Sequence, residues 1–81
     1  MPYLSVVIPL YNKEKQIQLT IDSVLAQEFE DYELIVINDG SSDHSPKIVE
    51  AIQDERIKLI NQPNAGVSAA RNRGIKEAVG K

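Results

Sequence analysis

Leu34-Ile35-Val36-Ile37-Asn38-Asp39-Gly40 is a run of four apolar residues, three of them β-branched, stopped by a turn signal. With no polar face to show to solvent, such a run reads as a strand covered on both sides. Two further runs read as strands. Leu4 to Ile8 (LSVVI) is ended by Pro9, and Ile57 to Ile60 (IKLI) is ended by Asn61-Gln62-Pro63-Asn64. Helical patterns separate them. Ile17, Ile21, Val24 and Leu25 recur at helical spacing, which predicts an amphipathic helix over roughly Lys15 to Gln27. Ser45-Pro46 is a start signal, with the hydroxyl as N-cap and proline at the first helical position, ahead of Ile48, Val49 and Ile52. A last helix is expected from Val67 to about Val79, with Gly80 as its stop.

The order β-α-β-α-β-α implies an α/β fold with a parallel sheet and right-handed crossovers. Sequential connections give the strand order 3-2-1, which leaves the first strand at an edge although both its faces are apolar. An exposed apolar edge promotes self-association. A fourth strand beyond Lys81 is therefore expected, making residues 1–81 the amino-terminal portion of a larger domain. The alternative is a small complete domain that pairs with a second copy through that edge.

Bulk composition narrows the function classes. At 81 residues the chain is at most one domain. Nine basic and twelve acidic residues give a net charge of −3, which argues against nucleic acid as the main partner. Without cysteine there is no disulfide framework and no thiolate-bound metal. No apolar run approaches the roughly 20 residues of a membrane span, and Met1-Pro2-Tyr3-Leu4 is unlike a signal peptide. A cytoplasmic location is the expectation, with any membrane association carried by segments outside this chain.

In an open parallel sheet, ligands bind at the carboxyl ends of the strands. Three polar clusters follow the three strands: Pro9-Leu10-Tyr11-Asn12, Asn38-Asp39-Gly40-Ser41-Ser42-Asp43 and Asn64-Ala65-Gly66. Tyr11 can stack on a base or sugar, or simply pack against its loop. Asn12 is expected to accept a backbone hydrogen bond at the following helix. Asp39 can accept the imino hydrogen of a pyrimidine or hold ribose hydroxyls. Asp43 and Ser45 are expected to tie down the turn and cap the next helix, and His44 to be solvated. On the last helix, at about 100° per residue, Arg71 falls about 40° from Val67, within the arc of Ala70, Gly74, Ile75 and Ala78. Arg73 falls at about 240°. The expectation is an inward Arg71 near the positive end of the helix dipole and an outward Arg73. Arg71 can meet a ligand anion there, or form a buried ion pair with Asp39. Neither a dinucleotide fingerprint nor a Walker-type phosphate loop is present, and no His/Cys/carboxylate cluster has metal spacing.

The three clusters, in this order, resemble the inverting family-two glycosyltransferases of the GT-A fold, a Rossmann-like α/β architecture. The matching residues are Ser5-Val6-Val7-Ile8-Pro9-Leu10-Tyr11-Asn12, Ile37-Asn38-Asp39-Gly40-Ser41-Ser42-Asp43, and Asn64-Ala65-Gly66 with Ala70-Arg71-Asn72-Arg73-Gly74. The resemblance implies a nucleotide site in which Pro9 and Tyr11 line the base pocket, Asp39 binds the base, usually uracil, and Asn64 and Arg71 complete the set. It implies a nucleotide-sugar donor, UDP-linked, and an acceptor of unspecified kind. Where the family usually has an acidic pair before the glycine, the first member here is Asn38. The resemblance also implies a divalent metal, Mg or Mn, whose Asp-x-Asp ligands would follow Lys81, as would the catalytic base; no catalytic residue is assigned within the chain. Two rivals stand beside this reading. A sugar nucleotidyltransferase would need a glycine-rich basic loop where Leu10-Tyr11-Asn12-Lys13 stands. A non-enzymatic nucleotide-binding or interaction module would be complete at 81 residues.

Overall fold

The computed structural model describes residues 4–27 and 31–78. Strands β1 (Leu4–Leu10), β2 (Tyr32–Asp39) and β3 (Ile57–Gln62) alternate with helices α1 (Ile17–Leu25), α2 (Ser45–Ala51) and α3 (Val67–Glu77). The sheet is parallel in the order β1-β2-β3. Side chains alternate between its two faces. On one face Leu10, Leu34 and Val36, with Val6, Ile8 and Leu59 beside them, meet Ile17 and Ile21 of α1 and Val49 of α2. On the other, Ile35 and Ile37, with Val7 and Ile60, lie under Ala70 of α3. Every residue of β2 is buried, because the central strand is covered on both faces and paired on both edges.

Several boundaries differ from the sequence expectation. β1 runs through Pro9 to Leu10 instead of stopping at Ile8. The Leu4 N–H donates to the Asp31 carbonyl at the β2 side, so by alternation the amide position of Pro9 faces the unpaired edge, where no N–H is needed. β3 extends two residues past Ile60, to Gln62. α1 starts at Ile17 because Lys13–Gln16 form a preceding turn, in which the Gln16 and Ile17 N–H groups donate to the Lys13 carbonyl at 2.9 and 2.8 Å. Ser45 is not the N-cap of α2; His44 takes that place and Ser45 is the first helical residue. The cap chemistry belongs to Asp43, whose Oδ1 accepts from the Ser45 N–H at 2.9 Å and the Ser45 hydroxyl at 2.5 Å. α3 ends at Glu77, and the expected stop at Val79 and Gly80 lies outside the described residues.

The orientation of α3 corrects a further expectation. Its buried residues are Ala70 and Gly74, whereas Val67 is 54% and Ile75 68% exposed. A Cβ on Gly74 would overlap the Val7 side chain. The helix thus rests on its smallest residues and its backbone comes close to β1. That contact turns the helix so that Val67, Arg71 and Ile75, spaced i, i+4 and i+8, form an exposed flank. Arg71 is exposed and Arg73 is half-buried, the reverse of the expected assignment. The Arg73 Nε lies 3.4 Å from Glu77 Oε2.

Candidate functional site

Parallel strands bring their carboxyl ends to one edge of the sheet, and the three following loops meet there. The first two loops are bonded directly to each other. Successive N–H groups of Asn12, Lys13 and Glu14 donate to Ser41 Oγ (3.1 Å), Ser45 Oγ (2.8 Å) and Asp43 Oδ2 (3.1 Å). In return Asn12 Oδ1 accepts from the Ser42 and Asp43 N–H groups at 2.8 and 3.3 Å. The amide of Asn12 therefore binds the neighbouring loop and does not cap its own helix. Its backbone has φ 49°, a left-handed conformation that asparagine tolerates better than most residues. Burial acts to raise the Asp43 pKa, but hydrogen bonds from the Ser45 hydroxyl and from the Ser45 and Glu14 N–H groups outweigh it and hold the carboxyl below its ordinary value. His44 is exposed, with Nδ1 3.2 Å from Glu14 Oε2.

Asp39 is the centre of the second junction. It is 3% exposed, yet a charged carboxylate at that depth is tolerable because donors surround it. Oδ1 accepts from Gln62 Nε2 at 2.9 Å and from the Ala65 N–H at 2.8 Å, and Oδ2 accepts from the Gly66 N–H at 3.0 Å. The Gln62 amide contributes most, followed by the Ala65 and Gly66 amides, and together they hold the Asp39 carboxyl below its usual range against the opposing effect of burial. The side chain of Asn64 donates to the Asp39 carbonyl at 3.0 Å. Gly40, at φ 71°, turns the chain so tightly that a Cβ there would strike the backbone of Asn64. Asn38 is engaged elsewhere: its amide donates to Asn61 Oδ1 at 2.8 Å and accepts from the Ser41 N–H at 3.1 Å.

A pocket of about 300 Å³ opens at this junction, lined by Pro9, Leu10, Tyr11, Lys13, Asp39, Asn64, Gly66 and Val67. Its walls combine an aromatic ring, apolar surface, one ammonium and one buried carboxylate. Of the residues singled out in the sequence, Pro9, Tyr11, Asp39 and Asn64 are brought together here. Arg71 is not among the lining residues; it lies one turn beyond Val67 on the exposed flank of α3. The alternative Asp39–Arg71 ion pair is absent among the described residues, the carboxylate accepting instead from Gln62 and two backbone amides. Lys13, Val67 and Gln62 were not anticipated. Gln62 was hidden by ending β3 two residues early, for it is the register partner of Asp39.

Among the described residues no group of three or more His, Cys, Asp or Glu side chains could hold a metal ion. The donor set of this pocket, one carboxylate already saturated on one oxygen, does not fit a divalent cation.

Comparison with known proteins agrees with this architecture. The chain is 48% identical over 82 residues to EpsJ of Bacillus subtilis, described as an uncharacterised glycosyltransferase, covering 99% of this chain and 24% of EpsJ. It is 44% identical over 80 residues to the glycosyltransferase YibD of Escherichia coli, covering 96% of this chain and 23% of YibD. The chain thus spans about a quarter of the length of these relatives. Among solved structures, residues 1–349 of Staphylococcus aureus TarS superpose with a TM-score of 0.89 at 32% identity, over 96% of this chain and 25% of that one. The mannosyltransferase PcManGT of Pyrobaculum calidifontis, solved with GDP-Man and Mn2+, superposes with a TM-score of 0.86 at 25% identity, again over 96% of this chain and 25% of its own. These neighbours are GT-A glycosyltransferases, and the three-stranded parallel sheet with its three helices is part of that fold. The model of the family described as Glycosyl transferase family 2 matches residues 5–81, and the chain belongs to that family.

Proposed function

We propose that the protein transfers a sugar from a nucleotide-diphospho-sugar, UDP-linked, to an acceptor with inversion, and that residues 1–81 are its nucleotide-binding portion. The observation that carries the reading is the buried, donor-wrapped Asp39 carboxylate in a pocket walled by the Tyr11 ring. A base stacked on Tyr11 presents its edge to Asp39, while Pro9, Leu10 and Val67 exclude water from its faces. Asn64 holds the third loop against Asp39. Lys13 in the wall and Arg71 on the exposed flank supply positive charge for the diphosphate.

That the chain is one portion of a larger domain is supported by the placement of α3. Helices α1 and α2 cover one face of the sheet and α3 the other. A right-handed crossover leaving β3 over this second face leads back past β2 to the open edge of β1. The pocket then sits where the strand order reverses, the usual ligand position in open α/β sheets. The bond-making groups, and the ligands of a divalent metal such as the Mn2+ of the Pyrobaculum neighbour, are assigned to residues outside this chain. Because that neighbour carries GDP-Man, the fold itself accommodates guanine.

Isothermal titration of the intact protein with UDP tests the reading, comparing wild type with Asp39→Asn. The substitution keeps the volume but removes the negative charge and one acceptor atom. A tenfold or greater loss of affinity is expected, on the order of a charge-assisted hydrogen bond; unchanged affinity removes Asp39 from the site.

A further inference from the structure

The hydrogen bonds around Asp39 bear on which base the pocket accepts, a question that rests on the nucleotide-site reading above. An ionised carboxylate has about four acceptor positions, two on each oxygen. Oδ1 is filled by Gln62 Nε2 and the Ala65 N–H. Among the described residues Oδ2 takes the Gly66 N–H alone. Among these residues one acceptor position remains, on Oδ2, and Asp39 is a lining residue of the pocket.

Bases differ in what they offer to a single acceptor. Uracil and thymine present one imino N–H between two carbonyl oxygens, and one acceptor satisfies it. Guanine presents two adjacent donors, N1–H and N2–H, and with one acceptor position a buried N–H is left unpaired. Cytosine and adenine offer an amino N–H beside a ring-nitrogen lone pair, which would face the carboxylate unfavourably.

We infer that Gln62 is a specificity-determining positioning residue: by occupying Oδ1 of Asp39 it leaves one acceptor position, which selects a uracil-type base over guanine. Gln62 is well placed for this. It is the last residue of β3 and pairs in register with Asp39, the last residue of β2, so the sheet holds the donor against the carboxylate. The other two donors are backbone N–H groups, which only a proline would remove. Among the described residues Gln62 is therefore the side-chain partner through which the acceptor count can change.

The test is titration of the intact protein with UDP and with GDP, for wild type, Gln62→Ala and Gln62→Lys. The ratio of the two dissociation constants is read, so a general change in stability or in diphosphate attraction cancels. Wild type is expected to prefer UDP by about tenfold or more, the factor that one unpaired buried donor produces. Gln62→Ala frees the Oδ1 position and the space beside it, and the preference should shrink to within about threefold, mainly through tighter GDP binding. Gln62→Lys restores a donor to the same oxygen, and the preference should return. Equal affinity of wild type for the two nucleotides overturns the inference while leaving the nucleotide site standing, and so does an unchanged ratio in Gln62→Ala. Absence of binding by either nucleotide overturns the nucleotide-site reading itself, and the inference with it.

Discussion

The place of Asp39 in the pocket was legible in the sequence because it stands at the carboxyl end of an apolar strand, just before a glycine turn. Its partners were not legible, since two are backbone amides of a distant loop and the third is a glutamine at a strand end. Arg71 was misassigned for a different reason. Hydrophobicity alone put Val67 and Ile75 on the buried arc, but the helix is seated by Ala70 and Gly74, and size decided its rotation. At this scale two predictions follow from the pocket. Base stacking on an aromatic ring is worth about 1–3 kcal/mol. Tyr11 is 49% exposed, which puts Tyr11→Ala at the lower end, about a fivefold to tenfold loss of UDP affinity by titration, with Tyr11→Phe near wild type. Gly40→Ala places a side chain at φ 71° against the Asn64 backbone. It should cost about 1–3 kcal/mol of stability in a urea melt and weaken UDP binding, because the third loop must move away from Asp39.

The elements themselves were largely readable. Strands β1, β2 and β3 announce themselves as short apolar runs, and α1 by its heptad-like spacing of Ile17, Ile21, Val24 and Leu25. Boundaries were less so, because edge position and cross-loop bonding do not show in local sequence: Pro9 continues a strand only because its missing N–H faces the open edge. The contact between α3 and β1 offers a direct check. Gly74 sits where a Cβ would overlap Val7, a stiff β-branched side chain. Gly74→Ala should therefore destabilise the fold by about 1–3 kcal/mol, the usual cost of overpacking, although alanine is the better helix former by about 1 kcal/mol. Val7→Ala in the same chain should recover part of that loss. A urea-midpoint double-mutant cycle reads the coupling; additive effects would show that α3 does not rest on Val7.

Two properties belong to the molecule as a whole. The first is its acid stability. At the end of the sheet opposite the pocket, Asp54 accepts from Arg56 Nε at 3.0 Å and Nη2 at 2.7 Å, and the guanidinium lies 4.8 Å from the centroid of the Tyr32 ring. These bonds, the side-chain ones foremost, lower the Asp54 pKa to about 2, from about 3.9 in an unfolded chain. A depressed carboxylate contributes its full stabilisation above the unfolded value and loses it as pH falls through the folded one. Urea midpoints of the wild type should thus fall between about pH 4 and pH 2, and Asp54→Asn should flatten part of that slope. The second property is the open edge of β1, which among the described residues is paired with β2 on one side only. Leu4 on that strand is 39% exposed, and with Val6, Val24 and Tyr32 it lines an apolar groove. Unpaired backbone groups beside apolar surface form a template for another strand, and natural edges are commonly blunted by a lysine. The 81-residue chain on its own is therefore expected to self-associate with rising concentration in sedimentation equilibrium. Leu4→Lys should hold it monomeric without changing its circular dichroism. A wild-type chain that stays monomeric at high concentration would mean that the twist of β1 and its outward-facing Pro9 already protect the edge.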